Sequence, residues 1–160
     1  MEFESFRQRA LGKKDQFNQT LKKLKKLNDN KVDQLLHDAH DAAFREINCL
    51  DCAFCCKHVG PLWTKQDIKR VSKWLKMKEA DFESTYLRID EDNDYVFQSM
   101  PCPFLQDDNK CMIYEVRPKA CREYPHTDRK KMKQLFKLTL KNSSYCPAVE
   151  KILDSLADQV

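Results

Sequence analysis

The sequence predicts a mainly α fold with one small β-hairpin and irregular loops organised by metal. Three observations carry this. Apolar residues recur at helical spacing over much of the chain. Only two glycines occur among 160 residues, which disfavours a turn-rich all-β fold. Eight cysteines occur, most of them in the stretches between the expected helices. The length fits one domain, 1–160, divided into an N-terminal helical hairpin (1–47), a cysteine-cluster core (48–148) and a C-terminal helix (149–160).

Phe3, Phe6, Ala10, Phe17, Leu21 and Leu24 fall on one narrow stripe, so a helix is expected over 3–27, with Gly12 its weak point. Asn28-Asp29-Asn30 breaks it. A second helix over 31–47 turns Val32, Leu35, Leu36, Ala39, Ala43 and Ile47 inward, and so short a break implies an antiparallel hairpin. Gly60-Pro61 marks a turn. Thr64 reads as an N-cap with Asp67 three residues on, opening a helix to about Met77 lined by Ile68, Val71 and Leu75. A shorter helix near 80–88 carries Phe82, Tyr86 and Leu87.

Residues 95–99 and 111–115 read as paired strands about the polar turn 106–110, with Cys102 and Cys111 on either side of it. Pro101 and Pro103 suit an irregular or edge strand. Arg117-Pro118 opens a short helix that Pro125 ends. Met132, Leu135, Phe136 and Leu140 line a helix over 129–141. Pro147 sits in the first turn of a last helix, with Val149, Ile152, Leu153, Leu156 and Val160 inward.

A net charge of +4 permits an acidic partner without pointing to nucleic acid. Lys22, Lys23, Lys25 and Lys26 read as a solvated helix face, because aromatics for base stacking do not flank them. Asp90, Glu91, Asp92 and Asp94 lack the glycine and ligand order of a calcium loop and read as a solvated stretch. The partner expected is a metal ion; a protein partner is compatible, and nucleic acid is not expected. The first residues show no secretory pattern. No apolar run approaches the roughly 18 residues that span a bilayer. A reducing, cytoplasmic setting without membrane association is therefore expected.

In that setting clustered cysteines are more often ligands than disulfides. Cys49, Cys52, Cys55 and Cys56 form a C-x2-C-x2-C-C octapeptide, and Cys102, Cys111, Cys121 and Cys146 follow at long range. Two intervening residues let both sulfurs face one ion. Soft thiolates suit zinc and iron. The run C-x2-C-x2-C also offers three corners of an iron–sulfur cluster, the fourth coming from a distant Cys-Pro, a form shared by Cys102-Pro103 and Cys146-Pro147. All eight cysteines are candidate ligands for zinc, iron or an iron–sulfur cluster. Which metal, and how the cysteines divide between sites, stay open. Buried hydrophobic cysteine is the ordinary alternative for one such residue, but eight in this spacing argue against it. His58 and His126 are secondary candidates. Arg117, Arg122 and Lys57 stand where cations would offset thiolate charge.

The octapeptide, Cys102-Pro-Phe-Leu105, the run Cys111-Met-Ile-Tyr114-Glu115-x-Arg117-Pro118-x2-Cys121-Arg122-x-Tyr124-Pro125, and Cys146-Pro147-Ala148 together resemble the bacterial cysteine-cluster family of the YkgJ type. Leu62-Trp63-Thr64-x2-Asp67-Ile68-x-Arg70 is similar to the helix that follows its cluster. The family is described as a zinc- or iron-chelating domain, so the resemblance implies chelation through these cysteines and supplies no reaction. Members often carry glycine within the first cluster, where this chain has Ala53-Phe54. Two other readings stand beside chelation. One is an iron–sulfur or iron-dependent enzyme, or its accessory module, acting in redox chemistry or protein modification. The other is a zinc module that binds nucleic acid or protein. Whether the chain is an enzyme is open at this stage.

Overall fold

A computed structural model describes all residues 1–160. Helices α1 (Phe3–Gly12), α2 (Lys14–Leu24), α3 (Asp29–Glu46) and the single turn α4 (Cys49–Cys52) come first. Then follow α5 (Phe54–His58), α6 (Lys65–Trp74), α7 (Glu79–Tyr86), strands β1 (Leu87–Ile89) and β2 (Tyr95–Phe97), and α8 (Lys119–Glu123). The chain ends with α9 (Phe136–Asn142) and α10 (Pro147–Ala157). Short 3-10 turns occupy Tyr114–Val116 and Met132–Leu135. No helix is long and apolar enough to cross a membrane. The mainly helical fold with a small antiparallel hairpin is as the sequence predicts. The chain divides into two compact units, Met1–Cys52 with Pro125–Val160, and Ala53–Tyr124.

In the first unit α3 packs chiefly on α10, and α2 packs on α10 and α9. The stripe residues supply this core: Phe17, Leu21, Leu24, Val32 and Leu36 meet Ile152, Leu153 and Leu156. Each such side chain, fully buried, contributes roughly 1.5–3 kcal/mol. The helix expected over 3–27 is interrupted at Lys13, beside the weak point Gly12, giving α1 and α2. Asn28 caps α3 by accepting the Lys31 N–H at 2.8 Å. From within α3, the Asp33 carboxylate accepts the N–H groups of Lys131 and Met132, each at 2.8 Å. It thereby satisfies amides that open the 3-10 turn.

Glu150, 5% exposed in the first turn of α10, receives Arg9 at 2.9 and 2.7 Å and Lys13 at 3.2 Å. Burial alone would raise its pKa; the bonds from Arg9 and Lys13 outweigh burial and hold the carboxyl below its ordinary value. A depressed folded pKa stabilises the native state above the unfolded pKa of about 4.3, and that contribution is lost as pH falls through the folded value. Because the Arg9 side chain is about half exposed, the pair is discounted for screening. Glu150→Gln is expected to cost about 1–2 kcal/mol near neutral pH. It should also flatten the acid limb of a stability-against-pH curve, read by urea unfolding. Parallel acid limbs for the two proteins would rule out this role.

In the second unit Thr64 and Asp67 form a reciprocal capping box at the start of α6, as the sequence predicts for the cap. Asp67 is 1% exposed and does more than cap: it also accepts Arg70 Nη2 at 2.7 Å and the Lys119 N–H at 3.1 Å. The hairpin lies earlier than expected. Leu87 pairs with Phe97, Arg88 with Val96 and Ile89 with Tyr95, while Cys111 makes only an isolated bridge to Leu105. The physical reason is the acidic stretch. Asp90 Oδ1 accepts the N–H groups of Asp92 and Asp94 at 3.0 and 2.9 Å, and Asn93 takes the left-handed conformation at φ 65°. That makes a tight local turn from residues the sequence reading left as solvated loop. The core of this unit is small: Trp63, Ile68, Val71, Phe82, Leu87, Phe97, Phe104 and Ile113.

Candidate metal centre

Five cysteines lie in the Ala53–Tyr124 unit. The chain enters it through Ala53, left-handed at φ 50° and ψ 28°, at the place where the resembling family often has glycine. A left-handed conformation costs a residue with a Cβ roughly 1–2 kcal/mol, partly offset by the greater freedom of glycine when unfolded. Ala53→Gly is therefore expected to raise stability by about 0.5–1 kcal/mol. A lower urea midpoint for the variant would contradict this.

Backbone hydrogen bonds tie three of these cysteines together. The Cys102 N–H donates to the Cys56 carbonyl at 2.8 Å. The Leu105 N–H returns to the Cys102 carbonyl at 3.1 Å, and the Met112 N–H donates to the Phe104 carbonyl at 2.8 Å beside the Leu105–Cys111 bridge. Cys121 sits on α8. Asp67 holds the start of that helix through Lys119, and Arg70 donates to the carbonyls of Val116 and Arg117 at 3.2 and 3.0 Å. The sequence reads Asp67 as a first-turn acid and places Arg70 only within the family-like segment Leu62–Arg70. The cap signal was legible; the second partner across the unit was not.

The electrostatics show what this grouping does. A hydrogen bond from the Cys55 thiol, with sulfurs 4.0 Å apart, brings Cys56 down to about 7 against the pull of burial, and Lys57 assists. Burial pushes Cys102 up to about 11, opposed by the amides of Phe104 and Leu105 and reinforced by charge on Cys56 and Cys111. Burial also raises Cys111, opposed by the Ile113 amide and by Arg117. Cys121, which solvent still reaches, is pushed upward by desolvation and then by charge on Cys56, Cys102 and Cys111, with Arg117 opposing. Four thiols thus lie within electrostatic reach of one another, and their anions repel. A cation among them would remove that repulsion.

In the first unit Cys49 and Cys52 occupy α4, and Cys146 is the N-cap of α10. Burial pushes Cys146 up to about 12. The amides of Val149 and Ala148 oppose this, and charge on Cys49 and Cys52 adds to it. Each Cys-Pro step therefore has the same surroundings: backbone amides two and three residues on that favour the sulfur anion.

No disulfide joins any of the eight cysteines. No group of three or more His, Cys, Asp or Glu side chains is arranged to hold a metal ion. This corrects the expectation of loops organised by metal: hydrogen bonds and an aromatic core hold these loops, and the sulfurs stand in reach of one another without sharing one point. The chemistry of the donor set suits zinc or iron all the same, since soft sulfur ligands with amides favouring their anions are what such ions take.

Sequence comparison places this arrangement in a class of cysteine-cluster domains. The chain belongs to the CxxCxxCC family, described as "Putative zinc- or iron-chelating domain", which matches residues 48–147. A curated relative, titled "Uncharacterized protein MJ0661", from Methanocaldococcus jannaschii, is 33% identical over 85 residues. That alignment covers 50% of this chain and 44% of the relative, so the chain spans less than half of that protein's length. No solved structure matches the chain.

Proposed function

We propose that this protein chelates zinc or iron through its cysteines, with Cys49, Cys52, Cys55, Cys56, Cys102, Cys111, Cys121 and Cys146 as the pool of ligands. The observation that carries this is the match of residues 48–147 to the cysteine-cluster family, supported by the backbone bonds that join the Cys56, Cys102 and Cys111 segments within one compact unit. Thiols crowded together and partly desolvated are poorly placed as free anions and well placed around a cation. The bound metal supplies the positive charge that the group lacks. The chain's own residues do the rest. Amides of Phe104, Leu105, Ile113, Ala148 and Val149 favour the thiolate form, and Lys57 and Arg117 offset excess negative charge. Binding expels the thiol protons, so affinity rises with pH. Eight cysteines with no disulfide among them suit a reducing cytoplasm.

The test is a competition titration under anaerobic, reducing conditions. The chain should withdraw zinc from a chromophoric chelator and release protons as it does so. A chain with all eight cysteines replaced by serine should do neither. Equal uptake by both proteins would reject cysteine chelation.

A further inference from the structure

We infer that the first unit binds the phosphate backbone of double-stranded nucleic acid, without sequence preference, through a basic surface that α2 and α9 build together. The inference goes beyond chelation and uses none of the cysteines.

Charge is segregated along this chain. Residues 13–26 and 129–141 hold twelve of its 29 basic side chains and one of its 25 acidic ones, Asp15. The remaining residues are therefore net acidic, although the whole chain carries +4. An ordinary solvated face mixes the two signs, whereas a field of one sign attracts a polyanion. The two stretches lie more than a hundred positions apart in the sequence. Read alone, the first is only a solvated helix face.

The fold joins them. α2 packs on α9 within the first unit. At one end Lys133 donates to the Leu27 carbonyl, just past α2. At the other, Tyr145, just past α9, stacks on Phe3 of α1 with ring centroids 6.2 Å apart. α9 therefore runs back along α2. Each helix keeps its lysines outside. α9 buries Phe136 and Thr139 and leaves Lys137 and Lys141, four apart on one face, exposed. α2 buries Phe17, Leu21 and Leu24. Lys23 reaches the Val160 carbonyl at 3.1 Å and so marks the side of α10. At about 100° per residue, Lys22 and Lys25 fall on the other side, toward α9. Lys13 and Lys133 are taken by Asp154 and Asp29 at 2.6 and 2.8 Å, but Lys22, Lys25, Lys137 and Lys141 pair with no carboxylate.

The partner follows from what this surface offers. Neither stretch exposes a large apolar side chain. There is no ring to stack on an unpaired base and no wedge to enter a bilayer. Charge alone remains, set in two rows on neighbouring helices whose axes lie about 8–10 Å apart. A duplex presents rows of phosphates on either side of each groove, with about one negative charge per 1.7 Å of its axis. Contacts to those phosphates position a protein without reading bases.

The experiment titrates the full chain, reduced and anaerobic, into a fluorescent duplex of mixed sequence. Both DNA and RNA duplexes are used, since either carries the backbone proposed. Anisotropy is read at about 50 and 200 mM salt, where four to six phosphate contacts predict an affinity about 10²- to 10³-fold lower at the higher salt. Lys22→Gln/Lys25→Gln on α2 and Lys137→Gln/Lys141→Gln on α9 should each weaken binding and lower the salt slope by about two. Lys69→Gln/Lys73→Gln on α6, in the other unit, removes the same net charge and should leave the slope unchanged. All six side chains are exposed, so folding is not at stake. No duplex binding by the unaltered chain at the lower salt would overturn the proposal. So would loss from one helix pair with none from the other, because the surface would not be joint. Equal loss from the α6 pair would overturn it too, because net charge alone would be acting. Anionic lipid vesicles and polyglutamate are offered in parallel, and binding to either that equals or exceeds duplex binding would overturn the assignment to nucleic acid.

Discussion

Replacing Phe104 with alanine is expected to destabilise the protein by about 3–5 kcal/mol. Phe104 is 1% exposed and stands at the centre of the aromatic core of its unit. Its ring lies 4.9 Å from that of Tyr86, 6.1 Å from Phe97 and 6.2 Å from Phe82, measured between centroids. Bulky rings of Phe82, Tyr86 and Phe97 surround it and can fill the space left behind only in part. The backbone of Phe104 also links the Cys102 turn to Met112. Losing the ring should therefore loosen the spacing between Cys102 and Cys111, and weaken metal uptake along with stability. Urea unfolding gives the first effect and chelator competition the second. Phe104→Leu, which keeps most of the volume, should recover much of both. A loss under about 1 kcal/mol for the alanine variant would mean that the ring is not anchoring this core.

On the chelation proposed above, removing the ion is expected to have a larger effect, and an uneven one. Structural zinc contributes about 10–16 kcal/mol in small peptides, against about 5–15 kcal/mol for the net stability of a whole domain. The Ala53–Tyr124 unit has eight core residues, two short strands, and α5 and α8 of five residues each. On the proposed reading, an ion bound there adds to what the hydrogen bonds and aromatic core already supply. The core of the other unit joins α2, α3, α9 and α10 through fourteen buried apolar side chains, with Cys146 packed against it. Hydrogen exchange read by mass spectrometry, with and without a strong chelator, should show amides of 53–124 losing protection while those of α3 and α10 keep theirs. Unchanged protection throughout, or equal loss in both units, would contradict this.

Periodicity made the long helices legible. The inward residues of α3, α6 and α10 are those the 3.6-residue spacing selects, and the Thr64 cap follows from residue type. Where the sequence was silent or misleading, interactions distant along the chain or fine turn chemistry decided the outcome. The hairpin went to β1 and β2 because Asp90 and Asn93 build a turn that looks like a charged loop when read by composition. Asp67 reads as an ordinary helix-start acid, and its bond to the Lys119 N–H spans 52 positions. The cysteine-cluster family was legible because eight cysteines at this spacing are distinctive. Adjacency in the octapeptide hid the boundary after Cys52 that sends its two ends to different units.

The most direct measurement is the metal content of the full chain isolated without oxygen, by elemental analysis beside an absorption spectrum and a labile-sulfide assay. Zinc or iron at one or more equivalents per chain is expected, and loss of that metal when Cys102, Cys111 and Cys121 are replaced by serine. A folded, reduced chain that carries neither metal and takes up neither when it is supplied would contradict chelation by these thiols.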